Sequence, residues 1–340
     1  MGTLPLGKLP PDLLTRLLSN RPMGDPRLRL GPGIGLDCAV IDFGDRCLVA
    51  KTDPITFTEE DIGWYAVHVN ANDVATTGAR PQWFLATLLL PERQAQFDLA
   101  ADILAQITDA CQTLGAELVG GHTEITAGIQ RAIVVGTMLG EVDRDRLITP
   151  LGARSGDRLL LTKGVPIEAT SILAREFSDR LSALPMELLA RAREYLRQPG
   201  ISVVPEALAA AQVPGVSAMH DPTEGGLIGA LWELSLAVGL KVVLERQAVP
   251  VPAEARAICD ALQVEPLEAI SSGALLIAVR EKAVSDVLSA IRALGVEVAE
   301  IGALIPGQGV IVREAGTDRT VPWPTRDALA RLFEEAGKES

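Results

Sequence analysis

The run of residues 70–81 constrains the fold of this chain more than any other stretch. It places two amides and a carboxylate, including Asn72 and Asp73, among small residues just ahead of an apolar strand. Apolar positions repeat at helical spacing, which predicts a helix that begins after Asp61 and ends at Gly78. Because the helix dipole disfavours an acid near the C-terminal end, the run predicts the wall of a site that holds a cation or a ligand. A solvated polar turn is the alternative.

The length of 340 residues exceeds one ordinary core and predicts two domains. The predicted limits are an N-terminal arm over 1–30, a first domain over 31–150, a second over 151–315, and a C-terminal helix or tail over 316–340. Gly, Pro and Ser gather over 150–156 between two apolar strands, which sets the central boundary. Both halves mix strands with covering helices without the regular alternation of a Rossmann domain, so the predicted fold class is α+β.

The net charge of −13 argues against nucleic-acid and anionic-membrane partners, because neither is attracted by an acidic field. The longest apolar runs, such as 83–90, are far shorter than a bilayer span, and a cytoplasmic location is expected. The four cysteines are scattered without a CxxC pair, which indicates reduced thiols packed as small hydrophobes.

Four acids stand at predicted strand or helix ends in the first half: Asp37, Asp53, Asp73 and Glu124. Magnesium takes oxygen ligands and binds through a few carboxylates together with substrate phosphates. The four acids therefore predict a magnesium–nucleotide site. Solvated caps of turns are the alternative for each of them.

The sequence from Glu117 to Glu124 predicts a strand that ends on Gly120 and Gly121 and is followed by three polar side chains. Bare backbone at two glycines would let a phosphate approach main-chain N–H groups, although a plain hairpin is the alternative. His122 could contact that phosphate or move a proton. The three histidines lack the spacing of a zinc site.

The second half offers a polar turn over 220–226 ahead of a helix, and a loop opened by Lys163 and Gly164. The helix predicted over 167–177 follows that loop, and its start could receive an anion. The sequence contains no GxSxG element, kinase catalytic loop or Walker lysine. Nucleophilic hydrolysis and the common NTPase machinery therefore find no support.

Seven motifs in this order resemble those of the aminoimidazole ribonucleotide synthetase-like (PurM-like) superfamily of ATP-utilising enzymes, most closely its HypE-like hydrogenase maturation members. The motifs are GLDCAV at 35–40, KTDP at 51–54, NANDVATTGARP at 70–81, GGHTE at 120–124, TKG at 162–164, HDPTEGG at 220–226 and SSG at 271–273.

The resemblance implies a two-domain PurM-like fold. Its N-terminal domain would form a β-barrel shared across a homodimer, its C-terminal domain would be an α+β sandwich, and ATP with Mg²⁺ would be bound. By position, magnesium would be held by Asp37, Asp53, Asp73 and Glu124; the nucleotide by Asn72, Gly120, Gly121, Thr123, Lys163 and Gly164; and catalysis would involve His122, Lys51 and Asp221.

The resemblance also implies the reaction. ATP would phosphorylate an amide or carbonyl oxygen on a small molecule or a protein-borne group and so turn it into a leaving group, with a maturation partner protein supplying the substrate. A small-molecule kinase resembling thiamine-monophosphate kinase is the first alternative, and a non-catalytic nucleotide-binding partner is the second.

Three departures limit what can be carried over. HypE-like proteins end in a tail whose terminal cysteine carries the reacting group, but no cysteine follows Cys259 in this sequence. The acidic pair common at the first motif is Leu36-Asp37 here. The reactive N-terminal Cys/Lys element of selenophosphate synthetases is absent.

Overall fold

Strand-like alternation and helical spacing recur through both halves of the chain, and the α+β class is confirmed. A computed structural model of the chain describes residues 7–19, 24–56, 58–93, 96–324 and 326–339. The first half contains α1 (Pro11–Leu18), β1 (Leu28–Leu30), β2 (Ala39–Asp42), β3 (Arg46–Ile55), α2 (Ile62–Thr76), β4 (Arg80–Pro91), α3 (Phe97–Leu114), β5 (Glu117–Thr126) and β6 (Ile133–Asp143).

The second half contains β7 (Arg158–Thr162), α4 (Ile167–Glu176), α5 (Met186–Arg193), α6 (Val204–Ala210), β8 (Val216–His220), α7 (Gly226–Val238), β9 (Leu240–Glu245), α8 (Ala253–Leu262), β10 (Leu276–Val279), α9 (Val284–Arg292), β11 (Val298–Pro306), β12 (Gly309–Glu314), β13 (Thr317–Val321) and α10 (Ala328–Glu339). Short 3₁₀ turns connect several of these elements.

The chain separates into two compact units. The smaller unit holds Gly24–Pro32 and Asp37–Leu147, and the larger holds Gly33–Leu36, Ile148–Ser340 and the described part of the first 23 residues. The domain limits given above remain predictions. Residues 1–6 and 20–23 of the predicted N-terminal arm lie outside the described part of the chain, as do residues 94–95 ahead of α3.

Within the described part of the smaller unit, six strands form a sheet in the order β1-β2-β3-β6-β4-β5. Helix α2 packs against β3, β6 and α3, and nearly every one of its side chains is buried. Gly63 permits the close approach of α3, because a Cβ at this position would lie 2.6 Å from the carbonyl oxygen of Ile103. As described, this sheet is open, with β1 and β5 at its edges.

Two strand boundaries in this unit differ from the prediction. Strand β3 does not end on Asp53 and Pro54, because it continues to Ile55 and pairs Asp53 with Gly136 of β6. The GGHTE motif does not follow the end of a strand either; it lies in the middle of β5, which pairs in parallel with β4. Strand β2 pairs with β3 only as far as Ala50, so Pro54 lies where β3 needs no second partner.

In the larger unit, the described residues form a seven-stranded sheet in the order β13-β12-β9-β11-β7-β10-β8. Consecutive residues Leu159, Leu160 and Leu161 are all buried, which shows that both faces of β7 are covered. The predicted C-terminal segment begins with a strand rather than a helix, since β13 pairs with β12. None of the described helices has the length and apolar character required to span a bilayer.

The four cysteines are buried and unpaired. Cys38, Cys47 and Cys111 belong to the smaller unit and Cys259 to the larger. Burial raises the pKa of the Cys111 thiol to about 11 and that of Cys259 to about 12. These thiols pack as hydrophobes, as the sequence indicated.

Candidate functional site

A buried lysine joins two of the predicted metal ligands. Alternation along β3 places Lys51 and Asp53 on the face that packs against α2. The Nζ atom of Lys51 lies 2.8 Å from Oδ2 of Asp73 and 3.0 Å from Oδ2 of Asp53. Lys51 is only 9% exposed and Asp73 only 2%. A lysine on a core face is tolerated when its charge is paired, and here two carboxylates pair it.

The electrostatics of this cluster also involve Asp37. Burial opposes the charge on Lys51, but the carboxylates of Asp73, Asp37 and Asp53 outweigh it and raise the pKa of Lys51 above its ordinary value. Burial, reinforced by Asp37 and Asp53, raises the pKa of Asp73, whereas Lys51 lowers it. The cluster therefore holds excess negative charge around one ammonium, and we call Lys51, Asp37, Asp53 and Asp73 the acidic cluster.

The main chain of this cluster is fixed by Asn70, a residue that the sequence reasoning quoted in its motif but did not select. Its Oδ1 accepts the N–H of Asp53 at 2.8 Å, and its Nδ2 donates to the carbonyl oxygens of Asp53 and Ala66 at 3.4 Å and 2.8 Å. Asn70 thus takes the place of a neighbouring strand beyond the end of β2. The available signal was an amide within an otherwise mostly apolar helix, because a buried amide must find hydrogen-bond partners.

Room for Asn70 depends on Gly136 of β6. A Cβ at Gly136 would lie 2.4 Å from Nδ2 of Asn70 and 2.9 Å from the carbonyl oxygen of Ala66. Both distances are shorter than a real Cβ makes, so only glycine fits unless Asn70 and the main chain at Ala66 both shift. Asn72, predicted to touch the nucleotide, is fully buried on the same helix.

The GGHTE motif lies apart from the acidic cluster within one chain. Across the sheet, Asp53 pairs with Gly136, Gly136 with Ala86, and Ala86 with Gly121. Three strand spacings of about 4.8 Å place Gly121 about 14 Å from Asp53. The structure therefore does not bring Gly120, Gly121, His122, Thr123 and Glu124 to the acidic cluster of the same chain.

The glycines of this motif also have a packing role. A Cβ on Gly121 would lie 1.9 Å from the carbonyl oxygen of Ala86, so Gly121 is required for the contact between β5 and β4. Nε2 of His122 lies 3.5 Å from Oε2 of Glu124, with both side chains exposed. Thr123 is exposed beside them. Among the residues described, no three His, Cys, Asp or Glu side chains form a preformed metal cage.

In the larger unit, Lys163 is engaged in internal contacts. Its Nζ donates to the carbonyl oxygens of Gly200 at 3.2 Å and Ser202 at 2.5 Å, and it pairs with Oε1 of Glu206 at 2.8 Å. A Cβ on Gly164 would lie 2.6 Å from the carbonyl oxygen of Pro250, which accounts for glycine there. Both predicted nucleotide contacts thus have structural roles in this unit.

The HDPTEGG turn, residues 220–226, is held from several sides. Asp221 is buried. The main-chain N–H of Lys8 donates to Oε2 of Glu224 at 2.8 Å, and Nζ of Lys8 donates to Oγ1 of Thr223 at 3.0 Å. Nε2 of His220 and Oε2 of Glu233 lie 2.8 Å apart. The segment before α1 is therefore docked on this turn.

Two buried carboxyls near the turn were not anticipated. Burial, partly opposed by hydrogen bonds from Ser272, raises the pKa of Glu168 to about 7. Burial also raises the pKa of Asp327 to about 6, although Asp327 accepts the N–H groups of Gly225 and Leu329, each at 2.7 Å. Asp327 caps α10 and ties it to the turn. Neither acid belongs to a recognisable motif.

Comparison with known proteins finds relatives over most of the chain. A putative hydrogenase expression/formation protein of Methanocaldococcus jannaschii is 28% identical over 315 residues, covering 88% of this chain and 90% of that protein. Carbamoyl dehydratase HypE of Cupriavidus necator is 30% identical over 286 residues, covering 82% of this chain and 78% of that protein.

Solved structures share the fold. A crystal structure of Escherichia coli HypE has a TM-score of 0.74 and 24% identity, with 94% of this chain and 98% of that chain covered. The sequence matches the AIR synthase related protein N-terminal domain over residues 35–142 and the C-terminal domain over residues 154–314. These matches span both units, and the chain belongs to the AIR synthase related protein family.

Proposed function

We propose that this chain is an ATP- and Mg²⁺-dependent enzyme of the HypE type, which activates a carbamoyl or similar oxygen by phosphoryl transfer. The observation that carries the proposal is the acidic cluster, held on β3 and α2 inside the matched N-terminal domain. A HypE crystallised in complex with ATP shares the fold, with a TM-score of 0.67 and 21% identity. The relative from C. necator is named a carbamoyl dehydratase.

The acidic cluster fits magnesium in its donor chemistry. Three carboxylates and one ammonium leave an excess of negative charge, and all the donors are oxygens, which Mg²⁺ prefers. The lack of a preformed cage among the described side chains suits an ion bound through one or two carboxylates and nucleotide phosphates. Asp37, Asp53 and Asp73 are the carboxylates from which these ligands would come. When bound, the ion would neutralise charge on the phosphates.

The remaining chemistry is positioning. The hydrogen bonds of Asn70 fix the main chain of Asp53, and Lys51 orients the carboxylates of Asp53 and Asp73 before any ligand arrives. For a carboxamide substrate, the γ-phosphoryl group would move to the amide oxygen. Loss of phosphate together with the two N–H protons would then leave a nitrile, ADP and inorganic phosphate.

A homodimer is part of the proposal. Edge strand β5 is exposed along its length, with Val119 48% and Ile125 64% exposed. An exposed apolar edge strand is a template for pairing with a second copy. Such pairing is a route to the shared barrel, and it would let His122 and Glu124 of one chain serve the acidic cluster of the other.

A HypE–HypF complex shares the fold, with a TM-score of 0.70 and 19% identity, so a maturation partner that delivers the substrate is part of the proposal. A reducing, cytoplasmic setting agrees with four unpaired, buried cysteines.

Calorimetric titration with ATP, with and without MgCl₂, tests the binding claim. We expect Mg²⁺-dependent binding that Asp73→Asn weakens at least about tenfold, whereas Asp45→Asn, at an exposed turn of the same unit, leaves it unchanged. Binding that ignores both the metal and Asp73 would contradict the assignment.

The products distinguish the proposal from its alternatives. With ATP and a peptide carrying S-carbamoylcysteine, we expect ADP, inorganic phosphate and a thiocyanate detected by mass spectrometry. A stable phosphorylated product would indicate a small-molecule kinase instead. A ThiL structure complexed with AMPPCP and TMP shares the fold at 20% identity. Binding of ATP without ADP formation on any substrate would indicate a non-catalytic partner.

Light scattering tests the dimer. Ile125→Lys is expected to convert dimers into monomers, because it places a charge on the paired edge. Phe97→Ser is the matched control, since Phe97 is 86% exposed on α3 of the same unit. A wild-type monomer at all concentrations would refute the pairing.

A further inference from the structure

The ammonium of Lys51 lies between the carboxylates of Asp53 and Asp73. Its Nζ lies 2.8 Å from Oδ2 of Asp73 and 3.0 Å from Oδ2 of Asp53. Both distances are those of charge-assisted hydrogen bonds. Because Lys51 and Asp73 are buried, neither charge can be satisfied by bulk water.

The charge balance limits what else the cluster can accept. The carboxylates of Asp37, Asp53 and Asp73 carry at most three negative charges and Lys51 carries one positive charge, so at most two negative charges remain. One divalent cation neutralises that remainder, and a second would leave an excess of positive charge beside a buried ammonium. Without Lys51 the same carboxylates would attract more metal.

We propose that Lys51 is a built-in counter-cation that takes the place of one metal ion. Its ammonium holds the carboxylates of Asp53 and Asp73 in position when no metal is bound. It also lowers by one the number of divalent ions that the nucleotide-free cluster can bind. The inference rests on the proposed function only in placing Mg²⁺ at the same carboxylates.

The buried pair of Lys163 and Glu206 offers a matched control within the same chain. There a buried lysine also lies 2.8 Å from a buried carboxylate, but its other contacts are the carbonyl oxygens of Gly200 and Ser202. Removing either lysine leaves buried carboxylates without a counter-charge, which should lower the free energy of unfolding. A divalent ion should restore stability only where more than one carboxylate is left.

The experiment compares wild type, Lys51→Met, Lys51→Arg and Lys163→Met without nucleotide. Thermal unfolding is followed with and without millimolar MnCl₂, and bound Mn²⁺ is counted by electron paramagnetic resonance. We expect Mn²⁺ to raise the unfolding midpoint of Lys51→Met by at least about 5 °C at 100-fold excess over its Kd. We also expect this variant to bind one more ion per chain than wild type. The midpoints of the other three should rise by a smaller and mutually equal amount, because the cluster that they retain accepts one ion fewer.

Equal Mn²⁺ counts in wild type and Lys51→Met, or an equal gain in Lys163→Met, would overturn the inference. If Lys51→Met does not accumulate as folded protein, it is refolded from urea with and without MnCl₂. Refolding only with Mn²⁺ supports the inference, and failure under both conditions overturns it. ATP binding by wild type is measured in parallel. Absence of Mg²⁺-dependent ATP binding by wild type, together with a gain of Mn²⁺ in Lys51→Met, would refute the proposed function alone.

Discussion

The carboxamide of Asn70 makes two hydrogen bonds to the main chain of Asp53. Its Oδ1 accepts the N–H of Asp53 at 2.8 Å, and its Nδ2 donates to the carbonyl oxygen of Asp53 at 3.4 Å. A side chain from helix α2 thereby continues the pairing of strand β3 after strand β2 has ended. The position of a predicted metal ligand depends on this one amide.

Replacement of Asn70 by alanine should destabilise the fold by about 2–3 kcal/mol, because buried hydrogen bonds are lost and the N–H of Asp53 loses its acceptor. Urea unfolding measures the loss, and hydrogen exchange should show faster exchange at Asp53. Gln112→Ala, at an exposed site on α3 of the same unit, should change stability by less than about 0.5 kcal/mol. Unchanged protection at Asp53 would contradict this account.

The substitution Gly136→Ala should destabilise the fold by about 1–3 kcal/mol through overpacking, since the new Cβ would meet Nδ2 of Asn70 at 2.4 Å. In the double variant with Asn70→Ala, the two effects should not add, because the nearest clash is gone. Gly24→Ala is the control, as a Cβ there meets nothing within 4 Å. Strict additivity in urea unfolding would show that the two residues do not interact.

Glu168 should make stability depend on pH. Burial raises the pKa of this carboxyl from 4.5 to about 7. The contribution of Glu168 to the free energy of unfolding is therefore fully present below about pH 4.5 and is lost as pH rises through 7. Glu168→Gln keeps an acceptor for Ser272 but cannot ionise. It should match wild type near pH 4.5 and exceed it by up to about 3 kcal/mol at pH 8.

Urea unfolding between pH 4.5 and 8 checks this expectation. Glu187→Gln, on the exposed side of α5, is the control for removing a carboxylate from the surface. If the stability of Glu168→Gln falls further below that of wild type as pH rises, the prediction is wrong.

Removal of the Asp327 side chain should release α10 and loosen the HDPTEGG turn. Asp327→Ala takes away the acceptors of the Gly225 and Leu329 N–H groups, each a hydrogen bond to a buried carboxyl worth about 1.5–3 kcal/mol. Hydrogen exchange should accelerate in α10 and at Gly225, and remain unchanged in β12 and β13. Asp327→Asn, which keeps one acceptor, should protect Leu329 but not Gly225. Uniform acceleration across the larger unit would indicate global destabilisation instead.

The α+β class and most elements could be predicted from the sequence, because periodicity and turn residues act locally. The grouping of Asp53 with Asp73 was predicted from the acids at element ends and from the family motifs. The pairing of Lys51 with both acids could not, since it joins strand β3 to a helix at long range. From the sequence, Lys51 was a catalytic candidate only through its position in the KTDP motif. In the structure, its burial between two carboxylates makes it central to the cluster.

The GGHTE motif shows the opposite case. Glycines followed by polar residues usually mark the end of a strand. Residue 121 lies inside β5 instead, and it is glycine because Ala86 on β4 approaches too closely for a Cβ. Similarly, β13 was missed because its residues, TDRTV, are mostly polar and its apolar partner strand supplies the packing. Sequence spacing alone also cannot show that two strands, β6 and β4, lie between Asp53 and Gly121.

Each unit contains at least one buried cysteine whose rate of labelling can report how often that unit opens. A thiol reagent added to the folded protein can react only when the region around a cysteine opens, and native burial keeps all four out of reach. Labelling of Cys111 reports opening of the smaller unit, and labelling of Cys259 reports opening of the larger. The unmodified chain can therefore reveal whether its two halves unfold together or in sequence, without any added probe.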